Sequence, residues 1–275
     1  MDEEEDYSCD LTEEELFELT ESLLDNDENN CAKYFRYNFQ ERRCGTDDVC
    51  DEPLFSDVEA ELFEVPTVKT LMALHDNYEP CVSEEEDVTR EEIQEERDFI
   101  DSVVDTKVME LTMNFLCSKG LISEDTNSFK RLLHRMWFAL YPRSRRVKGS
   151  CAFEHVFLGE VKQGQVNGFH NWLFFLLEEQ KGDVNYYGFS KGFGFGHGRG
   201  GILKTIFEWE GSIKPVSSIF IGLSPELELA LYTLAVLLKP DDACTVSLGG
   251  KTIDIRTHVF KQRGKKYLGT AFPDI

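Results

Sequence analysis

The chain has 275 residues, 41% of them hydrophobic, and a formal charge of −23; it is long and apolar enough to bury a core, which excludes a disordered or purely solvating chain. The charge is unevenly placed: residues 1–100 carry 34 acidic and 7 basic side chains, residues 101–275 carry 18 and 22, so only the second part can present the positive field that phosphate binding needs. No apolar run approaches the roughly 18–20 residues that span a bilayer, and the acidic start MDEEEDYSCD lacks a signal-peptide core.

An acidic tail at 1–10 leads into 11–26, where Leu16, Phe17, Leu19, Leu23 and Leu24 recur on a helical period. Pro53 and Pro66 punctuate the next unit, and 67–75 reads as a helix on which His75 is a solvated or satisfied residue rather than a ligand. After the acidic loop 83–88, Thr89 and Glu92 form a capping-box pattern that opens a helix over 90–104. A second helix covers 107–119 and stops at Gly120. A third, over 126–141, puts Phe129, Leu132, Leu133, Met136 and Trp137 on one face, with His134 as a structural residue in its middle. The basic loop 142–150, with Arg143, Arg145, Arg146 and Lys148, is either a solvated connector or a phosphate contact.

Beyond this loop the pattern changes. Residues 153–162 alternate as a strand does, and 168–180 reads as a helix. Strands follow at 184–189, 203–210 and 213–221, then a helix at 224–238 and strands at 243–248, 251–261 and 266–272. The glycine-rich stretch 192–201, carrying His197 and Arg199, lacks the Gly-Lys-Ser/Thr of a nucleotide-binding loop and reads as a hairpin loop. Without a regular βαβ repeat, the fold class is α+β: a mainly helical part at 11–142 and an α+β part at 143–275, within one domain spanning 11–275. Eight cysteines, at 9, 31, 44, 50, 81, 117, 151 and 244, favour disulfides and a secreted protein over an intracellular one, and the lack of a CxxC pair excludes a zinc ribbon.

Three features between 154 and 214 can carry chemistry: Glu154-His155 with Glu160 close behind, His170 in GFHNW, and Lys214 in GSIKPVSS. Each alone is weak, since a histidine in an apolar stretch is more often structural than catalytic. Together they offer two imidazoles that titrate near neutral pH, suited to be acid and base, and one ammonium for developing negative charge. A metal-dependent hydrolase with His155, Glu160 and His170 as ligands is the competing arrangement. The pair Glu154 and Glu160 either supplies hard oxygen ligands or orients the histidines.

In order and in text, the segments FEHVFLGEVK, GFHNWLFF, FEWEGSIKPVSS, FIGLSPELELALYTL and YLGTAFP resemble the EndoU family, the XendoU-type poly(U)-specific endoribonucleases. ELTESLLDND, PLF, NYEP and WFALYPR extend the likeness toward the amino terminus. The resemblance implies a helical part packed on a pair of antiparallel-sheet lobes with helices outside and a catalytic groove between. It implies cleavage of single-stranded, uridine-containing RNA, with no membrane or DNA partner, by a monomer. His155, His170 and Lys214 match the family's catalytic residues. Glu154 and Glu160 match its flanking acidic residues, Ser218 or else Ser217 its uracil contact, and Thr270 and Phe272 its closing Thr-x-Tyr pair. Phe272 departs from the usual tyrosine and removes a hydroxyl. The family further implies manganese, and also calcium, as an activator. The chemistry expected is attack by the 2′-hydroxyl, with His170 as base and His155 as acid, an order the sequence leaves reversible. The alternative is a catalytically weak RNA-binding or secreted interaction protein that retains the fold.

Overall fold

The computed structural model describes residues 11–43, 45, 47–143, 147–262 and 264–275. Helix α1 (Glu13–Asp25) opens on a reciprocal cap: the Glu15 amide donates to Thr12 Oγ1 at 3.2 Å and the Thr12 amide donates to the Glu15 carboxylate at 3.0 Å. A short ribbon pairs β1 (Arg36–Tyr37) with β2 (Phe55–Ser56), and α2 (Pro66–Met72) follows. Helix α3 (Arg90–Val104) begins behind the Thr89–Glu92 capping box, then come α4 (Lys107–Ser118) and α5 (Thr126–Phe138). The third expected helix stops short of 141 because Ala139 is already extended, at φ −66° and ψ 116°, on the approach to Pro142.

The stretch 153–162 is not a continuous strand. Glu154–Leu158 winds into a single π-type turn, closed by a 2.7 Å hydrogen bond from the Gly159 amide to the Glu154 carbonyl. Only then does β3 (Glu160–Lys162) begin, paired with β4 (Gln165–Asn167). The physical reason is burial. Phe153, Val156 and Phe157 are all fully buried at helical spacing, and the Phe153 and Phe157 rings stack 4.9 Å apart, which an alternating strand would prevent.

Helix α6 (Trp172–Lys181) precedes the antiparallel sheet of β5 (Val184–Gly194), β6 (Gly201–Trp209) and β7 (Ser212–Ile221). Helix α7 (Pro225–Leu238) leads to the second antiparallel sheet, β8 (Ala243–Leu248), β9 (Lys251–Gln262) and β10 (Lys265–Asp274), with β9 central. The glycine-rich stretch is the β5–β6 hairpin. In it Arg199 is tied to Asp25 and to the Phe195 carbonyl, and His197 is exposed. Helix α7 is buried on all sides from Pro225 to Ala235, as an all-round apolar helix must be. Trp137 of α5 donates to Thr233 of α7 at 3.2 Å, and Thr20 of α1 exchanges hydrogen bonds with the Ser247 backbone of β8 at 2.9 and 3.1 Å. The helical part is thereby built into the core of the sheet-bearing part. The arrangement is α+β, and β10 packs against both β7 and the π-type turn.

Two histidines outside the turn region are structural. His134 sits 2.8 Å from Glu96. His75 is half-buried rather than solvated: its ring packs edge-on against Phe174, its Nε2 is buried without a partner among the described residues, and burial pushes its pKa down to about 3. Among the described residues Cys31, Cys50, Cys81, Cys117, Cys151 and Cys244 are free thiols, so the disulfide expectation finds no support there; Cys9 and Cys44 lie outside the described residues. No described helix is long and apolar enough to cross a membrane.

Candidate active site

The π-type turn and the loop before α6 run side by side. The Phe169 amide donates to the His155 carbonyl at 2.9 Å, and the His170 amide donates to the Val156 carbonyl at 2.7 Å. These bonds set one histidine segment against the other. Gly168 makes the approach possible: it has φ +64°, and a Cβ there would lie 1.7 Å from the His155 carbonyl oxygen. The helix expected over 168–180 therefore starts only at Trp172, with Asn171 as its cap. Asn171 accepts from the Phe174 amide at 3.0 Å and donates to the buried Glu228 at 3.3 Å.

His155 Nδ1 lies 2.7 Å from Glu160 Oε2. Glu160 also takes a hydrogen bond from Ser150 Oγ and lies 3.2 Å from Arg143 Nε. Burial favours the neutral carboxyl of Glu160, but His155, Arg143 and Ser150 outweigh it and hold its pKa below the usual range. A carboxylate can only accept, so Nδ1 carries the proton and Nε2 is the ring nitrogen left for another partner. Burial lowers the His155 pKa, while the Glu160 charge and hydrogen bond act against that depression.

His170 is held differently. Its Nδ1 is 3.0 Å from the Ser218 carbonyl and 3.3 Å from Ser217 Oγ, which itself donates to the Phe169 carbonyl at 2.9 Å. Since a carbonyl only accepts, this ring too is protonated at Nδ1 and bears its lone pair at Nε2. The ring stacks on Phe272, centroids 4.9 Å apart and planes 18° from parallel. Burial, followed by the charges of Lys214 and His155, drives its pKa well below the ordinary histidine value. No carboxylate opposes the shift, so of the two rings His170 is the more firmly neutral.

Lys214 reaches this pair from β7. The β6–β7 register sets Thr205 against Ser217 and Phe207 against Lys214, so three steps of β7 match two of β6. This bulge puts Lys214 on the face of Ser217, where plain alternation would pair it with Ser218. Lys214 is 8% exposed, donates to the Val166 carbonyl at 3.4 Å, and is lowered by burial to about 8. From β10, Phe272 covers His170, and Thr270 has a buried hydroxyl without a hydrogen-bond partner among the described residues.

The structure thus brings together His155, His170, Lys214, Ser217, Ser218 and Phe272, with Glu160 behind His155. Glu154 stands apart: it is fully buried, with Oε1 unpartnered among the described residues, and burial followed by the Glu160 charge pushes its pKa up, favouring the neutral form. The two glutamates do not fit a divalent cation. Glu160 is committed to three protein donors and Glu154 is fully buried, whereas a hard cation needs several free anionic oxygens. No group of three or more metal-holding side chains converges among the described residues. The residues missed by sequence reasoning are Arg143 and Ser150. Arg143 stands in the basic loop, but its guanidinium turns inward to Glu160, the Tyr141 hydroxyl at 2.6 Å and the Gly269 carbonyl. Loop composition cannot show that direction. Arg145 and Arg146 lie outside the described residues.

The family model described as endoribonuclease XendoU matches residues 15–273. The uridylate-specific endoribonuclease of Bos taurus is 37% identical over 272 residues, 95% of this chain and 65% of that protein. Uridylate-specific endoribonuclease EndoU of Drosophila melanogaster is 40% identical, covering 76% of this chain and 65% of its own. Uridylate-specific endoribonuclease B of Danio rerio is 38% identical, covering 94% and 95%. The chain therefore spans about two thirds of the first two relatives, at 65% each, and nearly all of the third. The solved structure of XendoU, a splicing-independent snoRNA-processing endoribonuclease, superposes with a TM-score of 0.77 at 35% identity, covering 94% of this chain and 96% of that one.

Proposed function

The chain belongs to the XendoU endoribonuclease family, and from that premise we propose that it cleaves single-stranded RNA at uridines, by attack of the 2′-hydroxyl on the adjacent phosphodiester. The observation that carries this reading is the pair of imidazoles, each fixed at Nδ1 by an oxygen acceptor. His170 is the base: its depressed pKa keeps Nε2 unprotonated, ready to take the 2′-hydroxyl proton. His155 is the acid. Glu160 opposes its depression, and the charge of an arriving phosphate favours the imidazolium further, so Nε2 can deliver a proton to the departing 5′-oxygen. Lys214 meets the extra negative charge of the pentacovalent phosphorane in a site from which water is largely excluded. The products are a 2′,3′-cyclic phosphate and a 5′-hydroxyl. DNA lacks the nucleophile and is not a substrate.

For the base, Ser217, on the face of Lys214 with its Oγ 3.3 Å from His170 Nδ1, is the hydroxyl nearest the site and can still accept from a uracil edge, while Ser218 contributes its carbonyl to His170. Thr270 and Phe272 complete the subsite. Restoring the family's hydroxyl by Phe272→Tyr is expected to raise the ratio of kcat/KM for uridine over cytidine by about 3- to 10-fold, the worth of one added hydrogen bond. Competitive cleavage of oligonucleotides with a single U or a single C checks this, and an unchanged ratio sinks it. Manganese or calcium is proposed as an activator only. Because Glu154 and Glu160 do not fit a cation, no step passes through one.

The test is product-end analysis on a uridine-containing oligonucleotide, with manganese, with calcium and with chelator. Cyclic phosphate ends in every condition that supports cleavage support the reading. Open phosphate ends that vanish on chelation would establish the metal-dependent hydrolase instead. Binding without cleavage would establish the interaction protein that keeps the fold.

A further inference from the structure

From Ile255 to Pro273 the chain carries no acidic residue, in a protein of net charge −23. This segment is the β9–β10 hairpin. Its tip bears Lys261, Lys265 and Lys266, all exposed and none in an ion pair with a described residue. The hairpin leads straight to the site, because β10 carries Thr270 and Phe272. An irregularity at Gly269 decides which side chains share a face. In the register, Tyr267 lies opposite Phe260, Thr270 opposite His258 and Phe272 opposite Arg256. Alternate residues of β9 share a face, so Tyr267, Thr270 and Phe272 do too, although Tyr267 and Thr270 are an odd number of steps apart. The same parity places Lys265, opposite Gln262, in this row, and pairs Lys261 with Lys266 on the other face at the tip; His258 is exposed within the row.

The tip is braced to the catalytic region. Tyr141 packs against Phe260 and Tyr267 at 5.4 and 5.1 Å. Arg143, the partner of Glu160, holds both the Tyr141 hydroxyl and the Gly269 carbonyl at the irregularity. The tip lysines therefore keep a set offset from the site. At ~3.3 Å per strand residue, Lys265 stands roughly 16–17 Å from Thr270, about the reach of five stacked nucleotides at ~3.4 Å each.

We propose that Lys261, Lys265 and Lys266, at the tip of the β9–β10 hairpin, form a phosphate-binding subsite for the single-stranded RNA beyond the uridine that is cut. The proposal rests on the endoribonuclease reading of the site. The subsite supplies the positive field that the chain as a whole lacks, and it acts on strand length rather than on base identity. A dinucleotide reaches the active site alone, whereas a 12-nucleotide strand with one central uridine reaches the tip.

The test combines Lys261→Gln, Lys265→Gln and Lys266→Gln, exposed changes whose folding is checked by Tm. On the 12-mer at low salt, kcat/KM is expected to fall about tenfold, and the logarithmic salt slope to flatten by about 2, at ~0.7 per lost phosphate contact on a single strand. On the dinucleotide, kcat/KM is expected to stay within about twofold of wild type, since these side chains do not reach the scissile phosphate. Unchanged 12-mer kinetics and salt slope would overturn the proposal. If the wild type cuts neither substrate, the reading of the site itself fails. Anisotropy with a 12-mer blocked by 2′-deoxyuridine then still decides: weaker binding by the triple variant supports the subsite, and equal binding overturns it.

Discussion

Replacing His170 by alanine is expected to lower kcat by about 10³- to 10⁴-fold, near the upper end of what a positioned proton acceptor contributes, while leaving the protein folded. The backbone of the His170 loop is held independently of the imidazole, by the amide bond to Val156 and by the Asn171 cap of α6. The side chain does contribute the stack on Phe272 and the bond to the Ser218 carbonyl, so a modest drop in Tm accompanies the loss. Single-turnover cleavage of a uridine oligonucleotide measures the effect, and Tm separates it from unfolding. Imidazole added to the variant is expected to restore part of the rate, because the cavity left under Phe272 has the shape of the missing ring. A variant that cuts at the wild-type rate would remove His170 from the reaction.

The second large effect is expected at Lys214, where Lys214→Met should lower kcat by about 10²- to 10³-fold, the scale of losing one charged donor to a developing oxyanion. Its pH dependence is the sharper test. Burial lowers the Lys214 pKa to about 8, so the ammonium is present below that value and lost as pH rises through it. In kcat/KM, which reports the free enzyme, loss of the His155 proton opens the alkaline limb below the ordinary histidine range, and loss of the Lys214 ammonium adds a second decline with a midpoint near 8. The acid limb arises when the base takes up a proton. Since burial and the neighbouring positive charges depress His170, that limb lies below the ordinary histidine range. The Met variant, with no ammonium to lose, should lack the second decline near 8, and Lys214→Arg should move it upward while recovering part of the rate. A second decline that stays near 8 in the Met variant would assign that titration to another group and leave Lys214 without its role.

Much of this site was legible before folding. His155, His170 and Lys214 stand out in the sequence as side chains able to exchange protons or meet charge, and the structure gathers them. What was not legible was how each is held. The stretch 153–162 reads as a strand because polar and apolar residues alternate at its end, Glu160-Val161-Lys162, yet full burial of Phe153, Val156 and Phe157 winds its first half into a turn that turns His155 toward Glu160. Glu154 and Glu160 look equivalent in the chain. One is a charged partner of three donors and the other is pushed toward its neutral form, because desolvation depends on neighbours from distant segments. Arg143 reads as surface charge and is an internal clamp.

The sequence by itself determined the helices whose caps lie within a turn of their start, such as the Thr89–Glu92 box of α3, because helix hydrogen bonds and caps join residues only three or four apart. It also determined the chemical types available to the site. Tertiary structure alone decided which of them meet, which face of β7 Lys214 takes, and which nitrogen each histidine leaves free. Those outcomes rest on strand register and burial, which are set by partners tens of residues away, such as Ser218 for His170.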